Sequence, residues 1–287
     1  MTSRALEPAP HWWRSRLGLF VLLGFSGLGA LLLLEAPFSA LLPQAGGLRI
    51  VREFFAAMLE PALEYESPVP AGTPSILSAA LAGARRTLVF AAAGMSLALV
   101  LGVTLGFLGS SAWWDEERHT RSAAGLRRAV WLAARVLITL MRSVHELLWA
   151  VLFLAAFGLN TFGAVIAIAI PYGGTLAKIF SELLEEAPRA SARALAQLGA
   201  GSVQQFIFGL VPRALPDMSA YAFYRFECAV RSSAVLGFFG FPTLGYSIAQ
   251  AFENLHYREL WTYLYCLIAL VLLLELWSAS LRRRFVA

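Results

Sequence analysis

Seven polar side chains stand where a run of apolar residues leads one to expect hydrocarbon. Arg142 and Glu146 fall inside one such stretch; Arg225, Glu227, Arg231, Ser232 and Ser233 fall inside another. An arginine at the centre of a bilayer costs at least about 2.5–3.5 kcal/mol, so these groups must face a bundle interior, a watery cavity or a partner. Arg142 and Glu146 are spaced i, i+4, as are Glu227 and Arg231, and each pair is expected to share a helix face. Two readings follow. The pairs are structural and fix helix register, or Arg142 and Arg231 line a path for an anion at a subunit interface, with Ser232 and Ser233 as hydroxyl donors. Guanidinium suits phosphate-type oxygens because it offers paired N–H donors and a permanent charge. Glu146, Glu227 and Arg225 would then temper or extend that path, since a conducting site must also let go.

No reaction centre accompanies these groups. The four histidines, His11, His119, His145 and His256, are scattered, so neither a metal site nor a catalytic triad is expected. There is no G-x-x-x-x-G-K-[ST] phosphate loop, and the single lysine, Lys178, stands in an apolar stretch as a snorkelling anchor. The two cysteines, Cys228 and Cys266, read as buried thiols. The chain is expected to be no enzyme and to hold no cofactor or metal of its own.

The elements that must position the polar groups are membrane helices. Of 287 residues, 59% are hydrophobic and only 14% charged, with a mean hydropathy of +0.66. A soluble domain carries roughly a quarter charged residues. The sequence predicts an all-α integral membrane protein of about six spans. These are 17–34, 87–108, 129–157, 162–184, 217–238 and 260–280. The net charge of +5 reflects loop arginines that set orientation, not nucleic-acid binding. Arg4, Arg14 and Arg16, then Arg118, Arg121, Arg127 and Arg128, then Arg282 to Arg284, place both termini inside, with Trp113 and Trp114 at an interface. The first apolar run reads as a retained anchor, because no A-x-A-like cleavage site follows it. Ile50–Leu63 reads as an amphipathic interfacial helix. Residues 1–75 thus form a tail, anchor and outer segment, and 76–287 a transmembrane core. Gly94, Gly102 and Gly106 predict a close helix–helix contact. Gly237–Gly245 predicts irregular backbone, either a simple outer loop or, at membrane depth, a segment that must be covered by protein or line a cavity.

One stretch, 185–216, lies between spans but cannot itself span. Pro188 opens a short helix with a smooth face made by Ala190, Ala194, Leu195 and Leu198, and Gly199-Ala200-Gly201 breaks it. Ser202 and Gln205 predict a capping box for a second helix carrying Val203, Phe206, Ile207 and Leu210, which Pro212 ends. Such a helical bracket is built to be gripped by something in water.

This bracket resembles the cytoplasmic coupling loop of ABC importer permeases. Ala194, Gly199 and Pro212 match the family's pattern of Glu-Ala-Ala, a Gly four residues on and a later Pro. Arg193, Leu195 and Gly209 depart from it, standing where Glu, Ala and Ile are usual. G-L-V-P at 209–212 is similar to the phosphonate-uptake branch, and the likeness extends through Y-G-G-T-L-A-K-I-F-S-E upstream and Y-R-F-E-C-A-V-R-S-S-A-V-L-G downstream. Phe241-Pro242-Thr243 replaces the family's Ala-Gly-Gly, and His145 stands where relatives often have Pro.

The resemblance implies a permease core with a coupling-helix loop, and a second permease subunit completing a homodimer. It implies ATP-binding subunits that hold ATP and Mg, and a periplasmic binding protein that delivers a phosphonate or related phosphorus oxyanion through a lipid-embedded path. Pro188, Ala194, Leu195, Leu198, Gly199, Phe206 and Pro212 are the expected contacts to the ATPase. An ion-coupled secondary transporter or channel is the rival reading. Under the importer reading, Gly199→Asp is expected to uncouple ATP hydrolysis from uptake while membrane insertion stays intact. Normal uptake by that variant would count against the reading.

Overall fold

The computed structural model describes residues 12–34, 46–112 and 121–286. Arg4, Arg118, Trp113 and Trp114 lie outside them. All regular structure in the described residues is helical: α1 (Trp12–Leu33), α2 (Gly47–Ala57), α3 (Ile76–Gly109), α4 (Arg121–Ser143), α5 (Glu146–Phe157), α6 (Thr161–Glu186), α7 (Ala190–Gln197), α8 (Ser202–Gln204), α9 (Val211–Val235), α10 (Leu244–Glu253) and α11 (Tyr257–Val286). A π-helical turn, Gln205–Leu210, joins α8 to α9, and a 3-10 turn, Leu236–Phe239, follows α9.

The chain divides into two compact units, Met1–Ala56 and Ala57–Ala287. The first holds α1, whose apolar part is Gly18–Leu33, and most of the amphipathic α2. The second is the helical bundle.

Its centre is α6, packed on α3 along most of its length and touched by α4, α5 and α9. Close approach requires missing side chains. A Cβ at Gly102 would stand 2.6 Å from the Cβ of Leu176, and one at Gly106 would stand 3.0 Å from that of Phe180. At Gly94 it would meet Ile168 at 2.9 Å. The expected small-residue face is therefore real, and α6 answers with Gly173 against Leu101 and Gly174 against Met141. Asn160 caps α6 through Phe162 N at 2.9 Å, after the expected tight turn at Gly158.

Three helices are long and apolar enough to cross a membrane: Ile76–Gly109, Thr161–Glu186 and Tyr257–Leu281. Two bent pairs raise the number to five among the described residues, against the six expected; Gly18–Leu33 is a shorter apolar helix. The third expected span, 129–157, is not straight. It turns by 88° between α4 and α5. His145 is extended there and its ring accepts from Leu147 N, so it caps a new helix instead of continuing the old one.

One further expectation is corrected. The interfacial helix ends at Ala57, not Leu63. Beyond it the backbone bonds to α11: Met58 O accepts from Tyr265, Glu60 O from Arg258 Nε, and Ala62 O from Thr262. The Glu66 carboxylate caps α11 through Arg258 N and Glu259 N at 2.9 and 3.0 Å, while Glu259 accepts from Glu66 N. That reciprocal cap ties the segment after α2 to the start of α11.

The Gly237–Gly245 breaker is packed inside protein. Thr87 Oγ1 accepts from Leu244 N at 3.0 Å, and Thr243 Oγ1 donates to Ala234 O at 3.1 Å. A Cβ at Gly245 would lie 1.8 Å from Ala234 O.

Gly102→Val is expected to lower stability by about 1–3 kcal/mol through overpacking against α6. Gly125→Ala, whose added Cβ meets nothing within 4 Å, serves as the control. Thermal unfolding in detergent checks both; equal midpoints would show that the helices do not need this contact.

Candidate coupling loop and translocation path

The bracket is fastened at its base by a carboxylate. Glu185 Oε1 accepts from Arg135 Nη2 and from Ser111 N, both at 2.7 Å. Arg135 also lies over the Trp131 ring at 5.5 Å, and Trp131 Nε1 donates to Gly109 O at 3.0 Å. The end of α6, the residues after α3 and the middle of α4 therefore meet at one ion pair. Arg135 lies within an expected span beside Arg142, but no motif marks it in the sequence.

Above this base α7 ends at Leu198. Gly199, at φ +83°, reverses the chain, with Gly199 N bonded to Ala196 O and Ala200 N to Leu195 O. A left-handed residue here is the common way to satisfy the last carbonyls of a helix. Gly201 N donates to Gln204 Oε1 at 3.0 Å, so Gln204, not Gln205, reaches back to cap α8. Gln205 instead donates to Ala200 O.

The second half differs from a plain α-helix. Val211 N bonds to Phe206 O, five residues back. This wide turn changes which residues face inward. Phe206 is 2% exposed and meets Phe107 edge-on at 5.0 Å, while Val203 and Ile207 stay exposed. Phe206 is thus an anchor of the bracket within the bundle and not a surface contact. Pro212 does not end the helix. It sits in the first turn of α9, where its missing N–H costs little. Gly209 explains its own departure from the family pattern: a Cβ there would lie 2.8 Å from Ala192 Cα, so only glycine lets α7 lie flat on the turn. Of the other expected contacts, Pro188, Ala194, Leu198, Gly199 and Pro212 are exposed and Leu195 is half-buried. Leu198, at 84% exposed, is a bare apolar tip.

The intramembrane polar groups regroup. The bend at His145 separates Arg142 from Glu146, so the expected i, i+4 pair does not form on one helix face. Arg142 is exposed. Glu146 Oε1 instead accepts from Ser232 Oγ at 2.9 Å, and Ser232 is 2.8 Å from Tyr172 Oη. Arg225 Nε donates to Tyr221 Oη at 3.0 Å, and its guanidinium lies 5.6 Å from the Tyr172 and Tyr221 ring centres. Arg231 is exposed and donates to Cys228 Sγ at 3.3 Å. Glu227 and Ser233 are buried, and Ser233 spends its proton on Ala229 O. Lys178 pairs with Glu182 one turn on, at the bracket end of α6. Tyr172 and Tyr221 are the members that residue-by-residue reading missed. The only signal was a phenol within an apolar span, which needs a partner for its hydroxyl.

A bundle of apolar helices with a polar cluster at its core and an exposed helical knuckle between spans has the form of a transport permease. The binding-protein-dependent transport system inner membrane component family matches residues 120–287, and the chain belongs to that family. It is the non-catalytic, multi-pass inner membrane permease of a binding-protein-dependent ABC importer, which binds no cofactor itself and works with ATPase and binding-protein partners.

It is 29% identical over 199 residues to a phosphite transport system permease protein of Stutzerimonas stutzeri, covering 69% of this chain and 68% of that one. It is 30% identical over 197 residues to a phosphate-import permease protein of Mycolicibacterium smegmatis, covering 69% of this chain but 35% of that one. An inward-facing structure of a methionine ABC transporter shares the fold, with a TM-score of 0.59 at 21% identity over 72% of this chain and 96% of that one.

Arg135→Ala and Glu185→Ala are each expected to lower stability by about 1–3 kcal/mol, as loss of a partly buried charge-assisted bond implies. The double variant should fall within about 0.5 kcal/mol of the worse single one, because both remove the same contact. Full additivity in the unfolding midpoints would show that the two residues act separately.

Proposed function

We propose that two copies of this chain enclose the translocation path for a phosphonate or related small phosphorus oxyanion delivered by a periplasmic binding protein. The phosphite and phosphate for which the two relatives are named support that class. So does the chemistry of Arg142 and Arg231, which are exposed on this chain and available to a second copy. Ser232 and Arg225 stand just behind that surface, and Glu227 and Ser233 are buried supports.

Partner subunits bind ATP and Mg and grip the knuckle. The observation that carries this is Leu198, a large apolar side chain 84% exposed beside a glycine whose added Cβ would meet nothing within 4 Å. ATP closure draws the two brackets together. The Glu185–Arg135 tie and the Phe206 anchor pass that movement to α3, α4 and α9, and the path opens alternately to either side.

The test is reconstitution in vesicles with the ATPase and binding protein. ATP-dependent accumulation of phosphite, methylphosphonate or phosphate is the expected outcome. Arg231→Ala should cut the rate roughly tenfold, the loss of one charge-assisted bond. Accumulation driven by an ion gradient without ATP would overturn the proposal in favour of a secondary transporter.

A further inference from the structure

The polar cluster at the core has a donor direction that can be worked out. A carboxylate has no proton to give, so the 2.9 Å contact between Ser232 Oγ and Glu146 Oε1 is Ser232 donating. The single Ser232 proton being spent, the 2.8 Å contact with Tyr172 is the phenol donating to Ser232. Three helices thus supply one oriented chain, Tyr172 to Ser232 to Glu146, from α6 through α9 to the first turn of α5.

Arg225 stands behind it, over the Tyr172 ring and bonded to Tyr221. His145 Nε2 lies 3.5 Å from the second carboxylate oxygen. The side chain of Glu146 is 25% exposed, whereas Tyr172 is 6% exposed, so the carboxylate is the outer end of the chain and the phenol its buried end. Glu146 also begins the helix that follows the 88° bend, so α5 can shift without any helix being unwound.

We propose that Glu146 is a built-in substitute for the transported oxyanion. At rest its carboxylate holds the hydroxyl chain that the substrate's oxygens will use, and it leaves when substrate arrives. This rests on the oxyanion reading given above. Carboxylate and phosphorus oxyanion both present anionic acceptor oxygens that take the same O–H and N–H donors. A doubly charged oxyanion concentrated at the outer face by the binding protein outcompetes a single carboxylate for such donors, whereas free anion that is not delivered in this way does not. Without substrate, the fixed negative charge repels other anions from that outer end. The seal is therefore chemical: it excludes anions that cannot outbid a carboxylate, and it takes no account of neutral solutes. Tyr172 and Ser232 become the specificity-determining donors of the path.

The experiment uses vesicles holding the permease with its ATPase subunits, loaded with phosphate and with arabinose, without ATP or binding protein. Wild type should retain both. Glu146→Ala and Glu146→Gln should release phosphate roughly tenfold faster or more, the effect of losing one charge-assisted bond, with arabinose release unchanged. Adding Ser232→Ala to Glu146→Gln should return phosphate release toward wild type, because the donor it needs is gone. Variants as tight to phosphate as wild type would overturn the proposal, and so would equal acceleration of both solutes, which marks lost packing. Failure of the substrate reading is separable. It would show as a wild-type complex that accumulates no phosphorus oxyanion with ATP while the Glu146 variants still release phosphate.

Discussion

Close contact between α3 and α6 is the constraint on which the rest depends. In lipid, helices gain little from burying apolar surface against each other, because the tails are equally apolar. Association must come from packing, and packing is strongest where backbones meet. Gly94, Gly102 and Gly106 give α3 a side with no side chains, and α6 places Ile168, Leu176 and Phe180 there. Because α6 is held in this way, its polar members have fixed positions. Tyr172 is aimed at α9, and Glu185 at its foot meets α4 and the residues after α3.

Fixed positions matter because each intramembrane charge must find a partner. Glu146 is solvated by a serine hydroxyl, Arg225 by a phenol and two ring faces, and Arg231 by a thiol. These contacts come largely from neutral donors and acceptors, which satisfy the charges without cancelling them; His145 Nε2 stands a further 3.5 Å from the Glu146 carboxylate.

Much of this was legible in the residues. Apolar runs located the helices, the small-residue face located their closest contact, and prolines and glycines located the bracket. What remained hidden has physical causes. The bend before Glu146 falls in the short polar break Arg142-Ser143-Val144-His145-Glu146 between two apolar runs, and the summed hydropathy of those runs reads as one span although His145 caps a new helix. A regular 3.6-residue count puts Val203, Phe206, Ile207 and Leu210 on one face, whereas in the wider turn only Phe206 and Leu210 of these are buried. The Glu66–Glu259 cross-cap joins residues 193 apart in the chain, beyond the reach of any local pattern. Pro212 signals an ending in isolation, but the wide turn before it makes room for it.

That wide turn has a mechanical result. The chain runs as one helical rod from Ser202 through the turn and α9 to Phe239, and the 46° bend comes only after it. At about 1.5 Å per residue the rod is on the order of 50 Å long. Ser202 and Ser232 thus stand on one continuous helical element, so the turn that seats the bracket also sets where the Ser232 hydroxyl lies, 2.9 Å from its acceptor on α5.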